Sequence, residues 1–182
     1  MRYIGLIAER EKEMKKLNIK KMTLTAIFAA IAVVGSLFSV PVFGSKCAPV
    51  QHLVNILCAI FMGPWYGLAA AFIASVIRNA LGLGTLLAFP GSMFGAFLAG
   101  FLHECIKKRW AAYAGEVAGT SVLGGIAAYP IAYYVLGNSA ATMFMFVVPF
   151  LISTAGGAII AVIICESLAK SGLLERLKSQ LD

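Results

Sequence analysis

Charge is scarce in this chain. Asp, Glu, Lys and Arg together make up 13% of its 182 residues, 60% are hydrophobic, and the mean hydropathy is +0.89. A water-soluble fold has no interior large enough to hide so much apolar surface, so the surrounding solvent is read as largely lipid. Alternation of period two is absent as well, which argues against a β-barrel. The four cysteines (Cys47, Cys58, Cys105, Cys165) form no CxxC pair, and three lie in apolar segments where a thiol packs as a small hydrophobe. Neither a disulfide nor a metal site of Cys47 with His52 is expected. HExxH, GxSxG and a P-loop lysine are all missing, so no catalytic residues, no bound cofactor and no ATP hydrolysis are expected of this chain.

What is present is apolar sequence broken at intervals. At about 20 residues per crossing, the stretch 22–170 holds six helices. The division reads as a basic N-terminal segment (1–21), a membrane domain (22–170) and a short tail (171–182). Met14 is a second possible start, which would make 1–13 an extension or a short surface helix. The first apolar run follows lysines as a signal peptide does, but it is long and more spans follow, so it reads as uncleaved. The spans are expected at 22–40, 50–62, 64–82, 92–106, 110–136 and 140–170.

The break at Gly63-Pro64 is settled by charge. A turn there puts "REKEMKKLNIKK" (10–21), "KKR" (107–109) and the tail lysines on one side, whereas a single helix would separate them. The positive-inside rule then favours a multi-pass plasma-membrane protein with both termini cytoplasmic. The net charge of +7 is accordingly an orientation signal and not a nucleic-acid site. His52 and His103 fall on opposite sides.

Polar variety gathers on the outer face. The outer loops are 41–52, "GLGTLLAFPGS" (82–92) and the turn at Gly137-Asn138-Ser139. Arg78 and Asn79 end the third helix. Thr85, Phe89 and Ser92 follow in a loop that Pro90-Gly91 would shape. Lys46 lies in the first outer loop. Gln51, His52 and Asn55 open the second helix, the last two sharing a face. Either these residues line a pocket, or Arg78 snorkels and Gln51 caps its helix. Tyr129, Tyr133 and Tyr134 are an aromatic belt or a stacking platform. Glu116, inside the fifth span, is costly in lipid and reads as a buried packing residue or a functional one. Small residues recur every four positions at Gly91, Gly95 and Ala99, at Gly115 and Gly119, and at Ala26 and Ala30 with Ala29 alongside. That spacing lets helices approach closely.

The stretches "KKMTLTAIFAAIAVV", "GSKCAPVQHLVNIL", "GPWYGL", "RNALGLGTLLAFPGSMFGAFLAG" and "GEVAGT" resemble the substrate-binding (S) components of energy-coupling factor transporters, and within them the ThiW subfamily. The resemblance covers 14–169, with 44–55 and 78–100 its most specific blocks. It implies a six-helix S component that takes hydroxyethylthiazole, the thiazole precursor of thiamine, at the outer face. It further implies docking of Ala26, Ala29 and Ala30 on a transmembrane coupling subunit, with two ATPase subunits driving uptake. The chain begins Met1-Arg2 and lacks the Met-His start of metal-specific relatives, which argues against nickel or cobalt.

Charge bears on the substrate. None of the acidic residues lies in an outer loop, and Glu116 is placed in the wrong half of the membrane to meet a cation. A neutral heteroaromatic alcohol needs only stacking and hydrogen bonds, for which Phe89, Tyr133, Asn55, Asn79 and Asn138 are candidates. Lys46 and Arg78 would also suit an anionic vitamin, and thiamine or a biotin-like ligand stays open. A membrane enzyme using Glu116, or Cys47 with His52, is the competing class, and a ligand-free assembly protein a third.

Overall fold

The computed structural model describes the backbone of residues 2–42 and 45–181, with the side chains of 14, 19–41 and 46–181. Apart from one small hairpin, the described chain is helical. Helix α1 (Arg2–Gly35) runs unbroken through the basic segment and into the first apolar run. The surface character expected of residues 1–13 lies outside the described side chains, as does Gly44. Here α1 stops at Gly35, earlier than the expected 40, and Gly35 sits against the side chain of Val50, which leaves no room for a Cβ. A 3-10 turn (Ser36–Phe38) follows, and the chain then becomes extended. The first outer loop contains a hairpin: β1 (Val40–Val42) pairs antiparallel with β2 (Ser45–Cys47), Val40 opposite Cys47.

Helix α2 (Pro49–Met62) and helix α3 (Pro64–Ala80) are separated at Gly63, whose φ of 87° only glycine adopts without strain. The expected turn is there. Helix α4 (Ala88–Ile106) begins four residues before the expected Ser92. Pro90 is tolerated in its first turn because the N–H it lacks has no intrahelical acceptor there, so Phe89 and Pro90-Gly91 belong to a helix and not to a loop. The fifth expected span is one helical run of changing pitch. It comprises α5 (Arg109–Ala118), a π-helical stretch (Gly119–Gly124), α6 (Gly125–Pro130) and a second π-helical stretch (Ile131–Val135). Turns fill 136–146 before α7 (Val147–Lys170), and α8 (Leu173–Ser179) closes the fold.

Among the described residues, two helical segments, and not the expected six, suffice by length and composition to cross a bilayer: Ile19–Phe38, 20 residues, and Val147–Lys170, 24 residues. Apolar α2 has only 14. Much of the molecular surface is nonetheless aliphatic or aromatic, including Ile27, Ile31 and Val34 on α1, Ile159 and Ile163 on α7, and Trp65 and Trp110. Water does not tolerate patches of that extent.

Close packing joins α4 to the fifth helical run. A Cβ on Gly115 would stand 2.7 Å from the Ala99 Cα, one on Gly119 2.9 Å from the Gly95 Cα, and one on Gly124 2.6 Å from the Gly91 Cα. Along α4 these partners recur every four residues, but on the other side the step from Gly119 to Gly124 is five. The π-helical stretch absorbs that extra residue and keeps the third glycine on the contact face. At the lysine-rich end, Arg109 grips Glu166 with two charge-assisted bonds, Nε to Oε1 at 3.0 Å and Nη2 to Oε2 at 2.9 Å. Lys20 donates to the Gln180 carbonyl at 2.9 Å, which ties α1 to the chain end behind the buried Leu174 of α8. On α1, Ala26 and Ala30 are exposed, whereas Ala29 is 2% exposed and packs in the core.

Replacing Gly115 by Val should destabilise the bundle by about 1–3 kcal/mol or more through overpacking. Thermal unfolding of the detergent-solubilised protein will show it as a lowered midpoint, whereas an unchanged midpoint would mean the helices can separate freely.

Candidate substrate-binding site

At the end of the bundle opposite the lysine clusters, α2, α3, α4, the fifth helical run and α7 surround a polar interior. Its centre is Glu116, 0% exposed. Its Oε1 is met by three groups: His52 Nδ1 at 2.8 Å, Asn55 Nδ2 at 3.0 Å and Thr120 Oγ1 at 3.0 Å. His52 Nε2 lies 3.0 Å from Ser153 Oγ, and that oxygen accepts the Ala48 N–H at 2.9 Å. Ser153, already accepting from Ala48, donates to His52 Nε2, and Nδ1–H then donates to Glu116, so a neutral imidazole satisfies both ends. Asn55 Nδ2 also donates to the Ser92 carbonyl at 3.2 Å, and the hydroxyls of Ser75 and Ser92 are 3.2 Å apart.

Above this layer opens a cleft lined by Lys46, Ala48, Gln51, His52, Arg78, Thr85, Leu87, Ala88, Gly91, Ser92, Thr120, Phe150 and Ser153. About 450 Å³ of space lies within it, counted out to open solvent. Arg78 donates to the Gln51 side-chain oxygen. Lys46, on the hairpin, donates to the Leu83 carbonyl at 3.1 Å and so closes β2 onto the loop between α3 and α4. Among the described residues, the buried atoms Gln51 Nε2, Arg78 Nε, Glu116 Oε2 and Thr154 Oγ1 have no hydrogen-bond partner.

The structure thus brings Lys46, Gln51, His52, Arg78, Thr85 and Ser92 to one cleft, with Asn55 directly beneath. Asn79 stands behind the wall and braces the loop, donating to the carbonyls of Ser75 at 2.8 Å and Thr85 at 3.2 Å. Three expected residues are elsewhere. Phe89 turns outward against Phe72, with ring centroids 5.9 Å apart. Tyr133 is 39% exposed among Tyr129 and Tyr134. Asn138 caps its own turn, accepting the Ala140 N–H at 3.2 Å. The helix start at Ala88 rotates Phe89 away, and the aromatic wall of the cleft is instead Phe150, whose ring fills the space beside Gly91.

Glu116 requires a correction. Counted along the chain it sits in the inner half of its span, yet the short α2 descends far enough for His52 and Asn55 to reach it, so it underlies the cleft. Thr120, Ser153 and Phe150 were not anticipated. Thr120 had a signal, since it follows Glu116 by four residues and therefore shares its face. Ser153 and Phe150 had none in an otherwise apolar helix.

An all-α bundle thus carries a small polar cleft at one end, with the His52–Glu116 layer beneath it. The family model described as thiamine-precursor transporter protein (ThiW) matches residues 22–171, and the chain belongs to that family. It is a transporter component, not an enzyme. A protein of Methanocaldococcus jannaschii, provisionally described as a metal transport protein, is 30% identical over 129 residues. That match takes in 62% of this chain and 57% of the relative's length. No solved structure is significantly similar.

Replacing Glu116 by Leu should cost about 3–5 kcal/mol, because His52, Asn55 and Thr120 would be left buried without their acceptor. Gln, which keeps an acceptor oxygen, should cost less. Thermal unfolding in detergent reads the order, and equal midpoints for Leu and wild type would contradict it.

Proposed function

We propose that this chain is the substrate-binding S component of an energy-coupling factor importer. It captures the thiazole precursor of thiamine, hydroxyethylthiazole, in the cleft between the hairpin, Gln51, Arg78 and Phe150. The observation that carries the reading is the position of this cleft, at the end of the bundle farthest from the lysine-rich helix ends. By the positive-inside rule those ends lie in the cytoplasm, so the cleft opens outward. The Lys20–Gln180 bond supports an even number of crossings, since it holds both ends of the chain on one side. Six spans follow once α2 and α3 are counted as short crossings accommodated by local thinning of the bilayer. Phe150 offers a face for the thiazole ring, and the polar layer at Ser92, Ser153 and His52 offers partners for its heteroatoms.

Uptake against a gradient needs energy, and this chain carries no nucleotide-binding motif. A transmembrane coupling subunit and two ATPase subunits would supply it, with Ala26 and Ala30 on the exposed face of α1 as the contact. Ala29, packed in the core, would support that face from behind. A metal cargo, as in the archaeal relative's description, is less suited to a cleft lined by Lys46 and Arg78, which repel cations.

The purified chain should bind hydroxyethylthiazole on its own, and calorimetry that detects no heat would refute the assignment. Phe at both Ala26 and Ala30 should abolish ATP-driven uptake in reconstituted vesicles while leaving binding intact; loss of binding instead would remove the docking role. A cysteine at Thr85 should react with a membrane-impermeant maleimide from outside intact cells, and labelling only after lysis would invert the topology.

A further inference from the structure

The walls of the cleft carry a charge that a thiazole ring and a free hydroxyl do not answer. Lys46 and Arg78 both line it, and none of its described lining residues is a carboxylate. Glu116 lies below and is committed through Oε1 to His52, Asn55 and Thr120. Arg78 is 3% exposed, and among the described residues its guanidinium donates to the neutral amide oxygen of Gln51. Its Nε has no partner, and neither has Nε2 of Gln51, itself 2% exposed. A guanidinium withdrawn from water and met only by an amide is under-compensated, and two unused N–H donors beside it add to the deficit. Lys46 stands at the rim, where its ammonium is held toward the same space by its bond to Leu83. One fixed anion would answer all three groups, with the planar guanidinium suited to two oxygens at once.

We infer that Arg78, Gln51 and Lys46 form an anion subsite, and that the ligand taken by this cleft carries a phosphate or carboxylate on the side arm of its ring. This rests on the capture of a thiamine precursor, and within that reading the preferred form is the monophosphate ester of the thiazole alcohol. The ring lies against Phe150 and the phosphate oxygens accept from Arg78 and Gln51. Lys46 closes over them as the loop between α3 and α4 settles. The ester differs from the alcohol by the group these three residues hold, so the selectivity of the cleft is electrostatic and not steric.

Titration calorimetry on the purified full-length protein decides it, with hydroxyethylthiazole, its monophosphate and inorganic phosphate as separate probes. The monophosphate should bind at least about tenfold more tightly than the alcohol, as expected for one or two charge-assisted bonds. Arg78→Gln should bring that ratio below about threefold, and Lys46→Gln, at an exposed position, should reduce it by several fold. If Arg78→Gln fails to fold, as a thermal melt would reveal, Lys46→Gln carries the test, and an unaltered ratio there overturns the subsite. An alcohol that binds as tightly as its ester overturns the anion subsite and leaves thiazole capture standing. Inorganic phosphate bound as tightly as the ester, with the alcohol not bound, upholds the subsite and removes the thiazole. No binding of any probe overturns both.

Discussion

A carboxylate withdrawn completely from water must be met by donors, and Glu116 organises the upper half of this molecule by that need. Its donors come from two helices, His52 and Asn55 from α2 and Thr120 from the turn after its own position. Through His52 the requirement extends to Ser153 on α7, and through Asn55 to the backbone of α4 at Ser92. It also dictates the glycine opposite, because Glu116 and Thr120 occupy the volume that a side chain at position 95 would fill. The close helix contact and the polar layer are therefore one constraint seen from two sides. Removing either the donors or the glycine would strand a charge in a medium that cannot solvate it.

Much of this was legible in the sequence. The helical class, the turn at Gly63-Pro64 and the small-residue spacing of α4 and of the fifth helical run follow from composition, charge placement and spacing, and six of the residues singled out lie along the cleft. What stayed hidden has physical causes. A proline in the first turn of α4 looks like a loop residue, and misplacing that start displaced Phe89 from its true outward face. The π-helical stretches shift every later side chain around the axis, so the aromatic face near Tyr133 was not readable from a 3.6-residue period. The depth of Glu116 depends on how far α2 descends, which is a tertiary quantity. Ser153 and Phe150 became visible only once α7 was placed against α2.

The cleft has walls of unequal firmness. On one side His52, Ser153 and the Ala48 amide form a closed chain of bonds between α2 and α7. On the other, the hairpin reaches the loop between α3 and α4 through the side chain of Lys46, with its better acceptor at 3.1 Å. Residues 81–86 of this loop are exposed or half-buried, the property shared by segments that open at small free-energy expense. A ligand would therefore enter past the hairpin while the helical wall keeps its shape, which suits a protein that must recognise a small molecule and later release it unaltered.

Among the described residues, the Arg109–Glu166 ion pair and the Glu116 carboxylate with its neutral donors lie at opposite ends, and ionic strength separates them. Arg109 and Glu166 are both about a third or more exposed, so dissolved ions within a Debye length of about 8 Å weaken their attraction at physiological salt. His52 and Glu116 are 9% and 0% exposed, beneath the cleft. Concentrated salt thus slackens the junction of α5 with α7 at the lysine-rich end more than the floor of the cleft. The electrolyte chosen to purify the protein becomes a means of loosening one end of it selectively.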